Sequence, residues 1–138
     1  MRHSEIFDML KPLAIDIADS PWRHVAAVVY KNKIISYGQS QMKSHPFQTK
    51  YKKNEEAIYW HAETNAIFNA LKTLTSAELQ KSKLYVCRVK QNRDRNFIFG
   101  MSKPCKGCMT CIEDHKIPMT FYSLDEIEGY NHYAVMHK

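Results

Sequence analysis

Two short strings carry the chemistry that can be read from residue type and spacing. The first is Pro104-Cys105-Lys106-Gly107-Cys108. In a chain of this composition a Pro-Cys-x-x-Cys string is expected by chance only ~0.006 times. Two Cys at i and i+3 on the first turn of a helix lie on one face. Both thiolates can then reach one soft divalent ion, and the helix N-terminus favours their negative charge. The competing chemistry is a redox Cys-x-x-Cys. That use wants a preceding strand and an aromatic near the first Cys, and the leader here is Ser102-Lys103-Pro104. The second string is His61-Ala62-Glu63. His-x-Glu is weak alone, with a chance count of ~0.4, and His3-Ser4-Glu5 is a decoy. Context separates the two. His61 opens a strongly patterned mid-chain helix, and His3 sits on a terminus expected to fray.

The elements that must position these residues follow from periodicity. Ile6, Met9, Leu10, Leu13 and Ile17 recur at helical spacing, so residues 4–19 read as an amphipathic helix. Pro12 should kink or split it, and Ser20-Pro21 ends it. Residues 25–30 read as a buried strand, Lys31-Asn32-Lys33 as a polar turn, and residues 34–37 as the hairpin partner. Residues 39–55 lack periodicity and read as a long loop, a length that is usually functional or disordered. A second helix spans roughly 58–74, with Ile67, Ala70, Leu71 and Leu74 as its buried stripe. Residues 84–89 read as a strand and 90–103 as a basic loop. Pro104 fits the first position of a helix running to about His115, Pro118 breaks it, and residues 119–122 read as a strand. The last 16 residues fit a short strand or an irregular tail. The order suggests a layered α/β sandwich, with residues 1–138 as one domain.

That layout brings the two strings together. The helix from 61 to 74 travels about 20 Å, and the strand from 84 to 89 returns about as far. The Pro104 helix therefore starts near where the His61 helix starts. One His and two Cys at adjacent helix N-termini leave a fourth tetrahedral position for water, the pattern of catalytic rather than structural zinc. Glu63 lies about 200° around the helix from His61, so it does not share the ligand face. Near the helix end it can still reach a bound water, and a carboxylate there moves protons.

Length and composition narrow the rest. The chain has 138 residues, 44% hydrophobic and 25% charged, which excludes wholesale disorder, collagen and coiled coil. No apolar stretch approaches the roughly 20 residues of a membrane span. Residues 1–5 lack the pattern of a signal peptide, so the expected location is cytoplasmic, where the four Cys are expected to be metal ligands or core thiols. Net charge is +6. From Lys81 to Lys106 there are eight Lys or Arg and one acid, and from Lys43 to Lys53 four Lys and none. Such segments are either solvated loops or a surface that attracts phosphate, on a nucleotide or on a strand.

His61-Ala62-Glu63 followed by Pro104-Cys105-Lys106-Gly107-Cys108 resembles the zinc-dependent cytidine and deoxycytidylate deaminase superfamily. The extension Thr64-Asn65-Ala66-Ile67 looks most like the deoxycytidylate deaminases. The resemblance covers roughly residues 4–122. It implies a three-layer α-β-α sandwich around a mixed sheet of about five strands. It implies Zn2+ on His61, Cys105 and Cys108, Glu63 as the catalytic proton carrier, and hydrolytic loss of ammonia from a cytosine-type base. By the same analogy the Ala62 N–H and the Lys103 carbonyl contact the base edge, and Arg23-His24 border the pocket. A homo-oligomer is also implied. One departure stands out. Relatives usually carry Gly-x-Asn after the second strand, where this chain has Gly38-Gln39-Ser40. Ser40 would therefore meet the sugar with a shorter group than an amide.

Other residues have a bland use beside a functional one. Cys111 reads as a core thiol or a spare ligand, and Cys87 as core. His115 reads as a helix C-terminal cap. Trp60 could wall the pocket or pack in the core. His45 and Lys43, with Lys50, Lys52 and Lys53, are the loop candidates for reading phosphate. Three functions are in play. The first is deamination of a free nucleotide or nucleoside, with dCMP to dUMP the leading guess. The alternative is a deaminase of cytosine or adenine in single-stranded DNA or RNA, which would stack flanking bases on Phe47, Tyr51, Phe97 or Phe99. The last is a non-catalytic zinc-binding module, which needs no Glu63.

Overall fold

The computed structural model describes residues 1–17, 23–51 and 59–137. The expected helix stop at Ser20-Pro21, Lys52 and Lys53, and residue 58 at the start of the second expected helix lie outside the described residues. Helix α1 (His3–Ile15) leads into strands β1 (Arg23–Tyr30) and β2 (Lys33–Gln39). Lys31 and Asn32 between them both have positive φ, of 50° and 63°, the backbone of a two-residue type I′ hairpin turn. Next come a one-turn α2 (Pro46–Thr49), α3 (Ala62–Ala70) and a short α4 (Ser76–Leu79). Strands β3 (Lys83–Gln91) and β4 (Phe97–Gly100), helix α5 (Lys106–Asp114) and strands β5 (Met119–Ser123) and β6 (Tyr133–His137) complete the described order. No helix among the described residues is long and apolar enough to cross a membrane.

The strands form one mixed six-stranded sheet in the order β2-β1-β3-β5-β6, with β4 also paired to β3. Among the described residues only the β3–β5 pair is parallel, and the connection between them carries α5. Side chains alternate along each strand, so the two faces bury different sets. Val25, Ala27, Tyr85 and Cys87 pack under α1. Ala26, Val28, Leu84 and Val86 pack under α3 and α5. The result is the three-layer α-β-α sandwich that the resemblance implied.

Several elements depart from the periodicity reading. Helix α1 contains Pro12 as one continuous element, and Asp16 N–H still donates to the Pro12 carbonyl. Its buried face is Ile6, Phe7, Leu10 and Ala14, while Met9 and Leu13 are 46% and 41% exposed. Of the expected stripe Ile6, Leu10 and Ile17 are buried, and Phe7 and Ala14, on the same side as Leu10, take the places expected for Met9 and Leu13. His3 does not fray: its Nδ1 lies 2.6 Å from the Tyr85 hydroxyl and its ring stacks on Phe121. The long loop contains α2. The second helix begins at Ala62, and Leu71 is exposed beyond its end. The basic loop contains β4, joined to β3 by a turn in which Asn92 Oδ1 accepts from the Asp94 and Asn96 N–H groups. Helix α5 starts at Lys106 with Cys105 as its N-cap, so Pro104 lies before the helix rather than at its first position. The tail forms β6 against β5.

Candidate zinc centre and pocket

The site forms where α3 and α5 begin. His61 is the N-cap of α3, with extended backbone and no side-chain bond to its own helix. Its ring is therefore free to turn away from the helix. Cys105 is the N-cap of α5, and Cys108 follows in the first turn. His61 Nδ1 lies 3.3 Å from Cys108 Sγ and 3.6 Å from Cys105 Sγ, and all three ligand atoms fall within 4.8 Å of one another. An ion at ordinary zinc–nitrogen and zinc–sulfur distances in a tetrahedron separates such atoms by about 3.6 Å. The donor set and its spacing are compatible with Zn2+. All four cysteines are free thiols.

Two features let the helices approach. A Cβ at Gly38 would sit 2.2 Å from Ala66 N and 2.3 Å from the Ala62 carbonyl, so only glycine lets β2 lie against α3. The Gln39 N–H then donates to Asn65 Oδ1 at 3.0 Å, tying the strand to the helix. On the other side, Ser102 Oγ donates to the Val86 carbonyl and accepts from the Ser123 N–H, at 2.9 and 2.8 Å. This fully inward hydroxyl pins the segment that delivers Cys105.

Electrostatics follow the geometry. The Cys105 thiol is held down at about 4 by its hydrogen bond with Cys108 and then by His61, against the opposing effect of burial. The Cys108 thiol is pushed well up by the same hydrogen bond and by burial. Glu63 is 6% exposed. Burial pushes its carboxyl up, with the His61 charge opposing. His24 is pulled down to about 4 by burial and by the charges of Arg88 and His61. Its ring is neutral near pH 7 and offers one donor and one acceptor.

His24, His61, Glu63 and Cys105 line a cavity of about 250 Å3, with Cys108 buried behind its wall. Of the residues named from sequence, His61, Glu63, Cys105, Ala62, Lys103 and Ser40 all reach its wall. Ser40 is paired to β1, its N–H donating to the His24 carbonyl and its Oγ accepting from the His24 N–H. Trp60 walls the pocket and is 8% exposed, so both of its uses hold. The remaining sequence candidates lie elsewhere. Arg23 donates to the Ile15 carbonyl and lies over the Phe97 ring. His45 accepts from the Phe47 N–H and stacks on Trp60, ring centroids 3.9 Å apart. Lys43 lines an adjoining open groove, and Lys50 lies over Tyr51. Cys111 is wholly buried in the core, and His115 Nδ1 lies 2.8 Å from the Cys111 carbonyl at the end of α5. Sequence reasoning missed Gln41, Ser102 and Asn65. A lone Ser, Gln or Asn has no spacing signal, and only the tertiary fold shows what it bonds.

Sheet, helices and donor set together define a zinc-binding α/β domain. Residues 1–124 match the model of the cytidine and deoxycytidylate deaminase zinc-binding region, and the chain belongs to that family. No curated protein matches the chain by sequence. Among solved structures, a cytidine deaminase from Burkholderia pseudomallei is similar at 18% identity and a TM-score of 0.62, over 99% of this chain and 93% of that one. The dCMP deaminase of cyanophage S-TIM5 in apo form is similar at 19% identity and a TM-score of 0.58, over 90% of this chain and 86% of that one. Its complex with dCMP and dUMP gives 16% identity and a TM-score of 0.60, over 91% and 85%. These likenesses establish the fold.

Proposed function

We propose that this chain is a hydrolytic deaminase of a cytosine-type nucleotide, with dCMP to dUMP as the reaction. The observation that carries the reading is the buried Glu63 carboxylate beside the His61, Cys105 and Cys108 cluster in one small cavity. A structural zinc site would use a fourth protein ligand and no such acid. The cyanophage enzyme of similar fold is seen with dCMP and dUMP, which supports the nucleotide over the free base.

His61 Nδ1 and the Cys105 and Cys108 sulfurs hold the zinc. When bound, zinc supplies Lewis acidity that makes a water nucleophilic near neutral pH. Glu63 takes a proton from the attacking water and delivers it to N3 of the pyrimidine. It then takes the second proton, from the hydroxyl added at C4, and passes it to the leaving amino nitrogen. Water is consumed, the C4–N bond breaks, and ammonia leaves. The Ala62 N–H is one of the unpaired donors of the first turn of α3, and with the Lys103 carbonyl it grips the base edge. Neutral His24, with Ser40, Gln41 and Tyr59, supplies the polar part of the wall that would meet the sugar. The reading treats residues 1–138 as one deaminase domain in the cytosol, acting as a homo-oligomer. A reducing compartment suits it, because both sulfurs must stay reduced.

The adjoining groove favours a second reading. It shares Gln41 and Trp60 with the pocket and adds Tyr37 and Lys43, an aromatic and a cation beside a base site. Flanking nucleotides of a single strand could lie there. One experiment separates the readings: ammonia release by the zinc-loaded protein from dCMP, from cytidine and from a single-stranded oligonucleotide containing one cytosine, with Glu63→Ala as the blank. Release from dCMP alone is the expected result. Release from the oligonucleotide alone selects the second reading, and no Glu63-dependent release from any of the three overturns both.

A further inference from the structure

The one-turn helix α2 connects the two ligand-bearing helices. Pro46 occupies its first turn, and His45 caps it by accepting the Phe47 N–H. Gln48 projects inward and is completely buried. Its Oε1 accepts from the His61 N–H at 3.1 Å and from the Thr64 hydroxyl. Three residues on, the Tyr51 carbonyl rests against Gly107, where a Cβ would approach it to 2.2 Å. The same short segment therefore bears on His61 and on the turn between Cys105 and Cys108.

The bond to His61 fills a specific need. At a helix start, the N–H of the cap residue is commonly taken by a Glu or Gln side chain three residues on. In α3 that position is Thr64, whose hydroxyl donates to the His61 carbonyl at 3.1 Å and to Gln48 Oε1 and, being a short side chain, leaves the His61 N–H to Gln48. The cap side chain itself is diverted, since His61 Nδ1 faces the sulfurs. Gln48 supplies from another element what the helix lacks. Its amide orientation is also set, because a backbone N–H can only donate and requires the oxygen to face it.

We propose that Gln48 is a positioning residue of the metal centre: its amide oxygen holds the His61 backbone so that Nδ1 faces Cys105 and Cys108. The proposal rests on the reading of those three residues as zinc ligands. Groups that orient a ligand without touching the metal typically change its affinity about 10- to 100-fold when removed.

The test uses the full chain, unmodified and as Gln48→Met and Gln48→Glu. Met keeps the volume and removes the acceptor, and Glu keeps an acceptor oxygen. Zinc affinity is read by chelator competition, and the site geometry by the visible absorption of the cobalt-substituted protein. Gln48→Met is expected to bind zinc about 10- to 100-fold more weakly, with shifted cobalt bands, and Gln48→Glu to recover most of the loss. Zinc affinity and cobalt bands unchanged in Gln48→Met overturn the proposal, as does a Gln48→Glu protein no better than Gln48→Met. If Gln48→Met does not fold, amide exchange in the zinc-loaded unmodified protein decides. A slowly exchanging His61 N–H is expected, and a fast one overturns the proposal. Failure of the unmodified protein to bind zinc overturns the ligand reading as well, whereas normal zinc in Gln48→Met overturns this proposal alone.

Discussion

The two faces of the sheet are built from alternate residues of the same strands, yet they serve different ends. Under α1 the layer is aromatic and closed. Phe7 stacks on Tyr133, Tyr85 on Phe121, and Phe121 on His3. The one cysteine there, Cys87, is wholly buried, and burial pushes its thiol up to about 12. Under α3 and α5 the layer admits polar groups. Gln48, Glu63, Thr64 and Asn65 are all buried there, and Cys105 is exposed at a helix start with its thiol held at about 4. Burying polar atoms is costly unless they are paired. The polar layer answers this only in part, pairing Gln48 Oε1 with the His61 N–H and Asn65 Oδ1 with the Gln39 N–H while Gln48 Nε2 stays buried without a partner. One face therefore supplies cohesion, and the other spends some of it to hold reactive groups in place.

That contrast can be broken from either side. The largest effect is expected from Cys105→Ala, which should bind no stoichiometric zinc and release no ammonia from dCMP. Metal analysis of the purified variant checks this, and full zinc occupancy would remove Cys105 from the ligand set. Next is Phe7→Ala on the opposite face. It should cost about 3–5 kcal/mol of stability by leaving a cavity, seen in chemical denaturation, while the folded fraction keeps its zinc and its turnover. A selective loss of turnover there would show that the faces are not separable. Glu63→Ala should keep zinc and lose at least ~10²-fold in rate, about 2.7 kcal/mol of barrier. Near-normal turnover would take Glu63 out of the reaction. The smallest effect is expected on the reactive face itself, away from the pocket. Thr75 closes a reciprocal capping box with Glu78 at the start of α4. Thr75→Ala should cost about 1 kcal/mol in denaturation with no change in rate.

A labelling experiment sharpens the same comparison. Cys105 is exposed and Cys87 has no exposed surface. After chelation an alkylating reagent should modify Cys105 well before Cys87, and added zinc should protect Cys105. Equal rates, followed by peptide mass analysis, would mean that the aromatic layer opens as readily as the site.

How much of this was legible beforehand depended on whether the information was local. The ligand set was, because Pro-Cys-x-x-Cys and His-x-Glu are compact strings whose chemistry depends on spacing along one turn. The strands that carry the core were also legible, since a run such as residues 25–30 has few other uses. Strand β4 and helix α2 were not. Each is only four residues long, and such short pieces are held by pairing to β3 or by packing over α3 and α5 rather than by their own periodicity. The buried face of α1 was legible at Ile6, Leu10 and Ile17 but not in full, for a related reason. Met9 and Leu13 are as apolar as Phe7 and Ala14, and the aromatic layer chose which of them to cover.

The sequence by itself determined the donor types, their separation along the chain, and an order of helices and strands that returns both strings to one end of a sheet. The tertiary structure alone decided which polar residues serve them. Gln48, Asn65 and Ser102 are ordinary in sequence, whereas Lys43, from a basic segment, and Arg23, which the resemblance set at the pocket border, lie outside the pocket wall. The physical reason is that charge and spacing are properties of a segment. A hydrogen bond from Gln48 to His61, or a glycine that lets β2 touch α3, exists only once distant segments meet.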